Sequence, residues 1–496
     1  MIKKEAKKID VLFIIPPVLR FMNRSSTNFP LGLGYIAAYL KNKQNIHAEI
    51  YNADIYQSPT KMKTFLTSFY KLLKTKFLSY SDNVDFAEKW PEYYNIVNDI
   101  DNPIWDEVRS ILKKANPKIV GIGSKVVDIP STIVLAKIVK EVLPEAKVVV
   151  GGPSAITCSE YLMKNSPIDY LVTGEGEETM MELVSFIINN INNYQIQDIK
   201  GIIYRDESNK IIKNPPRLLI QNLDEIPFPE RESMFIVEKN NDIKYIDAFG
   251  DILTTRGCPF PCRFCAAHEA WGTKKTRFRS IDNIIQELKY LVNTFGQKNF
   301  IFWDDLFTID KNRTMELCQK IIDNKLDIRW LCLVRIDKID AELLEKMKTA
   351  GCYEIQIGIE SGNDRILSYI RKGINLEIIR KQISIIRQSG INWRIFLIIG
   401  FPTETREEIR DTINLIAEIK PTFVDLSIFC PYPGTDFYYD LQKQGQLDKD
   451  FMKSDMWYPY ITYTGTMNNE EFKKIALEAL KYVDKYNYNN AYKKIF

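Results

Sequence analysis

Short apolar runs rich in Val, Ile, Leu and Phe recur along this chain, with amphipathic stretches between them. "DVLFIIPP" (10–17), "HAEIYNAD" (47–54), "KIVGIGS" (118–124), "KVVVGGPSA" (147–155) and "DYLVTGEGEET" (169–179) have strand length, and only the second alternates polar with apolar. "LGLGYIAAYLKNK" (31–43) and "PSTIVLAKIVKEVL" (130–143) carry apolar residues at helical spacing. Strands apolar on both faces and separated by helices predict a parallel sheet covered on both sides. Residues 57–116 interrupt this pattern with a helical insertion rich in Phe, Tyr, Lys and Asn, including "MKTFLTSFYKLLKTKFLSY". The expected first domain is therefore a doubly wound α/β sheet over residues 1–196, followed by a proline-bearing linker at 197–250 ("NPPRLL", "EIPFPERE").

The alternation resumes with "DILTTR", "NFIFWDD", "IRWLCLVR", "YEIQIGIES", "NWRIFLIIG" and "FVDLSIFCP". Helical stretches such as "SIDNIIQELKYLVNTF" and "TREEIRDTINLIAEI" fall between them. Six β/α units predict a partial (β/α)6 barrel over 251–440, with active groups at the strands' carboxyl ends. Residues 441–496 read as a helical, aromatic region packed on the rest.

Composition narrows the function classes. The 496 residues are 45% apolar and 26% charged, with a formal net charge of +3. That spread gives no reason to expect a nucleic-acid partner. The longest apolar run falls short of the ~20 residues needed to cross a bilayer, so no transmembrane segment is expected. No signal peptide is apparent, and Cys158, Cys318, Cys332, Cys352 and Cys430 sit singly among apolar neighbours, which favours a cytoplasmic setting.

The other three cysteines lie within eight positions, in "TTRGCPFPCRFCAAHEAWG": Cys258, Cys262 and Cys265. Zinc sites take four ligands and disulfides take pairs, whereas three thiolates suit an iron–sulfur cluster with one open iron. Here the chain resembles the radical SAM superfamily, down to the aromatic Phe264 before the third cysteine. The resemblance implies a 4Fe–4S cluster on these thiols, with S-adenosyl-L-methionine (SAM) on the fourth iron and His268 a bystander. It implies SAM contacts from Asp304 and Asp305 ("WDDLFT") to the ammonium, from Arg335 ("LVRID") to the carboxylate, and from Glu360 ("IGIESGNDRIL") to the ribose. Gly400 and Pro402 of "IIGFPTET", with Gly434 of "PYPGT", would shape backbone beside the adenosyl group.

The first domain resembles a cobalamin-binding domain. Ser124, Gly151 and Gly152 would leave room for the nucleotide tail, and Glu175 and Gly176 would contact the tail or the ring amides. The loop after the first strand, "PPVLRFMNRSSTNFP", holds no His, so cobalamin without a histidine ligand is expected. A nucleotide- or FMN-binding sheet is the competing reading.

Together the resemblances imply a radical SAM enzyme that methylates an unactivated carbon, without an obligatory catalytic side chain. Its substrate would be a small molecule, lipid or peptide, and its reductant a donor such as flavodoxin or ferredoxin. A non-methylating radical cyclisation, rearrangement or oxidation stays open, as does a non-enzymatic cluster and cobalamin sensor.

Overall fold

Val11, Leu12, Ile14, Ile119, Val120, Val148 and Val150 are all fully buried, as residues covered from both sides of a sheet must be. They belong to strands of a computed structural model that describes residues 8–22, 24, 28–55, 83–189, 195–234, 250–447, 458 and 460–492. The chain forms two compact units. One comprises residues 1–58, 92–249 and 266–279; the other comprises 59–91, 250–265 and 280–496.

The first unit holds a seven-stranded sheet: β1 (Val11–Ile15), β2 (Ala48–Asn52), β3 (Ile119–Gly123), β4 (Lys147–Gly151), β5 (Tyr170–Val172), β6 (Ile202–Arg205) and β7 (Ile211–Lys213). Its order is β2-β1-β3-β4-β5-β6-β7. The first five strands pair parallel, while β5–β6 and β6–β7 pair antiparallel. The connections carry α1 (Leu31–Gln44), α2 (Asn83–Asn98, of which only residues 92–98 belong to this unit), α3 (Pro103–Ala115), α4 (Ile129–Val142), α5 (Pro153–Thr157), α6 (Ser159–Asn165) and α7 (Gly176–Val184). The order 2-1-3-4-5 has its switch point between β1 and β3, where doubly wound sheets open a ligand crevice.

Two expectations change. The stretch read as a linker, 197–250, supplies β6 and β7 and so extends the sheet. Its Ile202 and Ile203 are buried against β5, and Ser233 accepts the Ile50 N–H of edge strand β2 at 2.7 Å. Such covering blunts an otherwise open edge. Of the insertion at 57–116, residues 57–82 lie outside the described residues, and the remainder forms α2 and α3.

The second unit is a six-stranded, all-parallel open sheet in sequential order: β8 (Asp251–Ile252), β9 (Asn299–Phe302), β10 (Arg329–Val334), β11 (Cys352–Glu360), β12 (Asn392–Ile399) and β13 (Phe423–Ile428). In β11 the fully buried Ile355, Ile357 and Ile359 alternate with Glu354, Gln356 and Gly358, giving one apolar and one polar face.

After α8 (Ala267–Trp271), which belongs to the first unit, come α9 (Ile281–Phe295), α10 (Lys311–Asp323), α11 (Ala341–Thr349), α12 (Asp364–Tyr369), α13 (Leu376–Ser389), α14 (Arg406–Ile419) and α15 (Asp436–Lys443). Each helix from α9 to α15 starts after Ser280, Asp310, Asp340, Asn363, Asn375, Thr405 or Thr435, whose side chain accepts a first-turn N–H. These caps fix the turns that follow the strands, where the functional groups lie.

The C-terminal region packs as expected. On α16 (Asn469–Tyr492), Asn487 accepts the Val424 N–H at 3.0 Å and donates to the Val424 carbonyl at 2.8 Å, pairing the free edge of β13. Among the described residues no helix is long and apolar enough to cross a membrane.

Candidate functional site

The cysteine loop is irregular backbone that follows β8 after a further two-residue strand, Thr255–Arg256. Cys258 and Cys262 are half-buried, Cys265 is exposed, and none of the three is in a disulfide. Burial pushes the Cys258 and Cys262 thiols above their ordinary range. The carboxylate of Asp305 acts the same way on Cys258, so its charge lies within reach of the loop. Iron would relieve that burden, because a metal ligates thiolate and supplies the missing positive charge. Among the described residues no three Cys, His, Asp or Glu side chains converge as ligands of one ion.

Arg263, between the second and third cysteines, fastens the loop. Its guanidinium lies 4.6 Å from the Tyr369 ring centre and 4.2 Å from that of Phe437, and it bonds to Asp440 and the Tyr369 carbonyl. Its N–H reaches the Ile370 carbonyl at 3.1 Å, so the loop is tied to the end of α12. The next residue, Phe264, packs its ring 5.8 Å from Phe401 of the "IIGFPTET" turn.

Three charged side chains gather beside this loop. Arg335, at the end of β10, stacks on Phe260 of the cysteine loop at 3.8 Å and bonds to Asp337 at 2.9 Å. Glu360 ends β11 past a bulge, with φ of 71°, a left-handed conformation that non-glycine residues seldom hold. Lys372 donates to Glu360 at 2.8 Å, and its carbonyl accepts Arg335 Nη2 at 2.8 Å. Lys372 was absent from the sequence expectations. Its signal was "RKG": Arg371 and Gly373 both have positive φ, and that double reversal turns Lys372 back toward the strand end.

The two aspartates after β9 separate. Asp304 is fully buried and accepts the N–H groups of Thr254 and Thr255 at 2.6 and 2.8 Å, so its carboxylate braces the chain leaving β8. Asp305 is exposed, so of the two its carboxylate stays open to solvent. Gly400 has φ of 91°, and a Cβ there would meet Phe472 of α16 at 2.5 Å. Gly434 likewise has φ of 95°. Glu404 receives the N–H groups of Gly400 and Phe401 at 2.6 and 3.0 Å and holds this turn closed.

In the first unit, Ser124, Gly151 and Gly152 meet at the ends of β3 and β4. Ser124 N–H donates to the Gly151 carbonyl at 2.8 Å, and Thr132 donates to the Ser124 hydroxyl at 2.8 Å. Gly152 has φ of 99°, and a Cβ there would lie 2.6 Å from the Ser124 carbonyl. Beside Gly151 the nearest atom to an added Cβ is 3.9 Å away, an ordinary van der Waals distance, so a Cβ fits there without displacing a neighbour.

Gly176 opens α7, and Glu175 before it accepts the Ile220 N–H at 2.8 Å and Arg277 Nη1 at 2.9 Å. Arg277 Nε and Nη2 are buried with no hydrogen-bond partner. Leaving a buried donor unmade costs about 1–3 kcal/mol. His268 lies on α8 in this unit and is no part of the cysteine loop.

A three-cysteine loop leaving the first strand of an open parallel β/α unit, with a cation–carboxylate cluster at neighbouring strand ends, defines a radical SAM centre. Residues 252–416 match the radical SAM superfamily and residues 91–184 the B12 binding domain. The chain belongs to the B12-binding radical SAM enzymes. It is 33% identical over 377 residues to the uncharacterized methyltransferase PH0819 of Pyrococcus horikoshii, covering 76% of this chain and 79% of that protein. It is 25% identical to cytidylyl-2-hydroxyethylphosphonate methyltransferase of Streptomyces wedmorensis, covering 96% and 90%. Its fold is similar to that of the radical SAM methyltransferase TsrM from Kitasatospora setae, solved with cobalamin and a [4Fe-4S] cluster. There the TM-score is 0.64 at 16% identity, over 88% of this chain and 78% of that one.

Proposed function

We propose that this chain transfers a methyl group to an unactivated carbon of a small-molecule, lipid or peptide substrate. The observation that carries the reading is the Arg335–Lys372–Glu360 cluster beside the cysteine loop, in a chain that also holds a cobalamin-type sheet. When bound, the cluster and SAM supply a 5′-deoxyadenosyl radical, and cobalamin carries the methyl group.

The protein's own groups bind and orient. Cys258, Cys262 and Cys265 hold the cluster. Arg335 and Lys372 offer the SAM carboxylate a cationic seat, with Arg335 held flat by Phe260. Asp305 serves the ammonium. Asp304 fixes the strand end from behind, because its Oδ1 takes two backbone N–H groups and its Oδ2 the Thr254 hydroxyl. Glu360 accepts from the ribose hydroxyls, and Lys372 holds its carboxylate in place at 2.8 Å. Phe264, Phe401 and Gly400 close the adenosyl side against water. On the first unit, Ser124, Gly151 and Gly152 border the channel for the cobalamin tail, and no histidine ligates the cobalt.

The exposed Cys265 gives an external donor such as flavodoxin or ferredoxin a short route to the cluster. Eight cysteines outside any disulfide, five of them buried, suit the reducing cytoplasm.

The test is anaerobic incubation of reconstituted protein with SAM, reductant and cell extract, read by mass analysis. Expected are 5′-deoxyadenosine and S-adenosylhomocysteine in equal amounts, with one product gaining a methyl group. 5′-Deoxyadenosine without S-adenosylhomocysteine would replace methyl transfer by another radical reaction.

A further inference from the structure

Glu175 was expected to touch cobalamin, yet its carboxylate turns to Arg277, twelve residues past the last cluster cysteine. We propose that Arg277 is an oxyanion-binding residue. Glu175 positions it so that its free edge reads two oxygens of one carboxylate, phosphate or phosphonate group.

The Arg277 guanidinium is held by its neighbours at one nitrogen alone. Its Nη1 is engaged twice, by Glu175 Oε2 at 2.9 Å and by the Ile220 carbonyl. Glu175 Oε2 also takes the Ile220 N–H at 2.8 Å, which closes a ring of three residues and fixes the plane of the group. Nε and Nη2 share the opposite edge, the parallel pair of donors that matches the two oxygens of an oxyanion. Both are buried with no partner, and the side chain is 9% exposed.

A second feature points the same way. Glu175 is also the residue before the nine-residue α7, whose start has no side-chain cap, so backbone donors sit beside the same carboxylate. The acids of that helix are partly neutralised, because Arg217 engages Glu178 and Glu182. Arg279, two residues beyond Arg277 and buried, adds a second cation to the segment.

Two sources offer this chemistry: an anionic group on the substrate, or the phosphodiester of cobalamin's nucleotide tail. Only the second rests on the cobalamin reading. The test uses anaerobically reconstituted full-length protein, as wild type, Arg277→Met, Arg277→Lys and Glu175→Gln. The probes are methylphosphonate, hydroxocobalamin and cobinamide, which lacks the phosphodiester, and binding is read by equilibrium dialysis.

If the anion comes with the substrate, Arg277→Met loses at least tenfold in methylphosphonate affinity at unchanged iron content. If it comes with cobalamin, wild type prefers hydroxocobalamin to cobinamide at least tenfold, and Arg277→Met erases the preference. Arg277→Lys keeps the charge without the fork, so it should recover little. Glu175→Gln should lie between wild type and Met.

Equal methylphosphonate affinity and an equal cobalamin-to-cobinamide ratio in wild type and Met would mean an internal water only, and would overturn the proposal. Full rescue by Lys would overturn the bidentate reading, and it remains measurable if the Met variant fails to fold. A wild type that takes up neither corrinoid would sink the cobalamin reading while leaving the methylphosphonate arm standing.

Discussion

Lys372 holds Glu360 through its ammonium at 2.8 Å and Arg335 through its backbone carbonyl at the same distance. One residue thus fixes two of the groups assigned to SAM. Lys372→Met removes only the first link, because the carbonyl belongs to the backbone. It leaves the Glu360 carboxylate buried without its cation, and such a loss is costly. SAM affinity should fall about tenfold to a hundredfold, equivalent to roughly 1.5–3 kcal/mol. Glu360→Gln with Lys372→Met should lose less than the two single changes summed, since they break one pair. Calorimetric titration with SAM on cluster-loaded protein measures both. Strict additivity would contradict the pairing.

The three thiols lie on irregular backbone, outside the packed strands and helices of the second unit. Changing Cys258, Cys262 and Cys265 together to Ala should therefore abolish bound iron and sulfide while leaving far-ultraviolet circular dichroism unchanged. Retention of full iron after the triple change would remove the cluster from this loop.

Of the two glycines at the end of β4, Gly151 takes a side chain more easily than Gly152. A side chain at Gly152 collides with the Ser124 carbonyl and needs a left-handed φ, so it damages the loop itself. At Gly151 an added Cβ finds nothing closer than 3.9 Å. Gly151→Val should leave stability within about 0.5–1 kcal/mol and cluster content unchanged. Cobalamin uptake should fall at least tenfold. Unaltered uptake, followed by absorbance after gel filtration, would move the tail elsewhere.

Glu404 sets a pH dependence. Burial raises its carboxyl to about 8, although two backbone N–H groups favour the ionised form. Between the ordinary carboxylate value and about 8, the folded chain holds a proton that the unfolded chain has lost. Stability is therefore greatest below that ordinary value and declines as pH rises, by at most about 1.4 kcal/mol per unit. Above about 8 this group adds no further slope. Glu404→Gln keeps an oxygen for Gly400 and Phe401 and should flatten the decline. Urea midpoints at pH 5, 6.5 and 8 decide it, and equal slopes in both proteins would exclude Glu404 as the cause.

Much of the site was legible as local spelling. C-x3-C-x2-C fixes three thiols on one loop whatever surrounds it, and Arg335, Glu360 and Gly400 follow strands whose apolar runs announce them. Partner choice was not legible. Asp304 and Asp305 are neighbours of one type, yet one is buried under Thr254 and Thr255 while the other faces solvent. Lys372 reads as an ordinary surface lysine until two left-handed residues turn it inward.

The sequence by itself determined the two sets of β/α units, because hydrophobic periodicity and capping residues act within a few positions. It also determined the three-cysteine loop, whose spacing lies within eight positions. Only the tertiary structure decided that 197–250 adds β6 and β7 to the sheet, that Glu175 answers Arg277, and that Lys372 joins Glu360 to Arg335. Those links join residues 12 to 102 positions apart. Burial excludes water from such pairs, so each charge must find its counterpart within the fold, and no local pattern records where that counterpart lies.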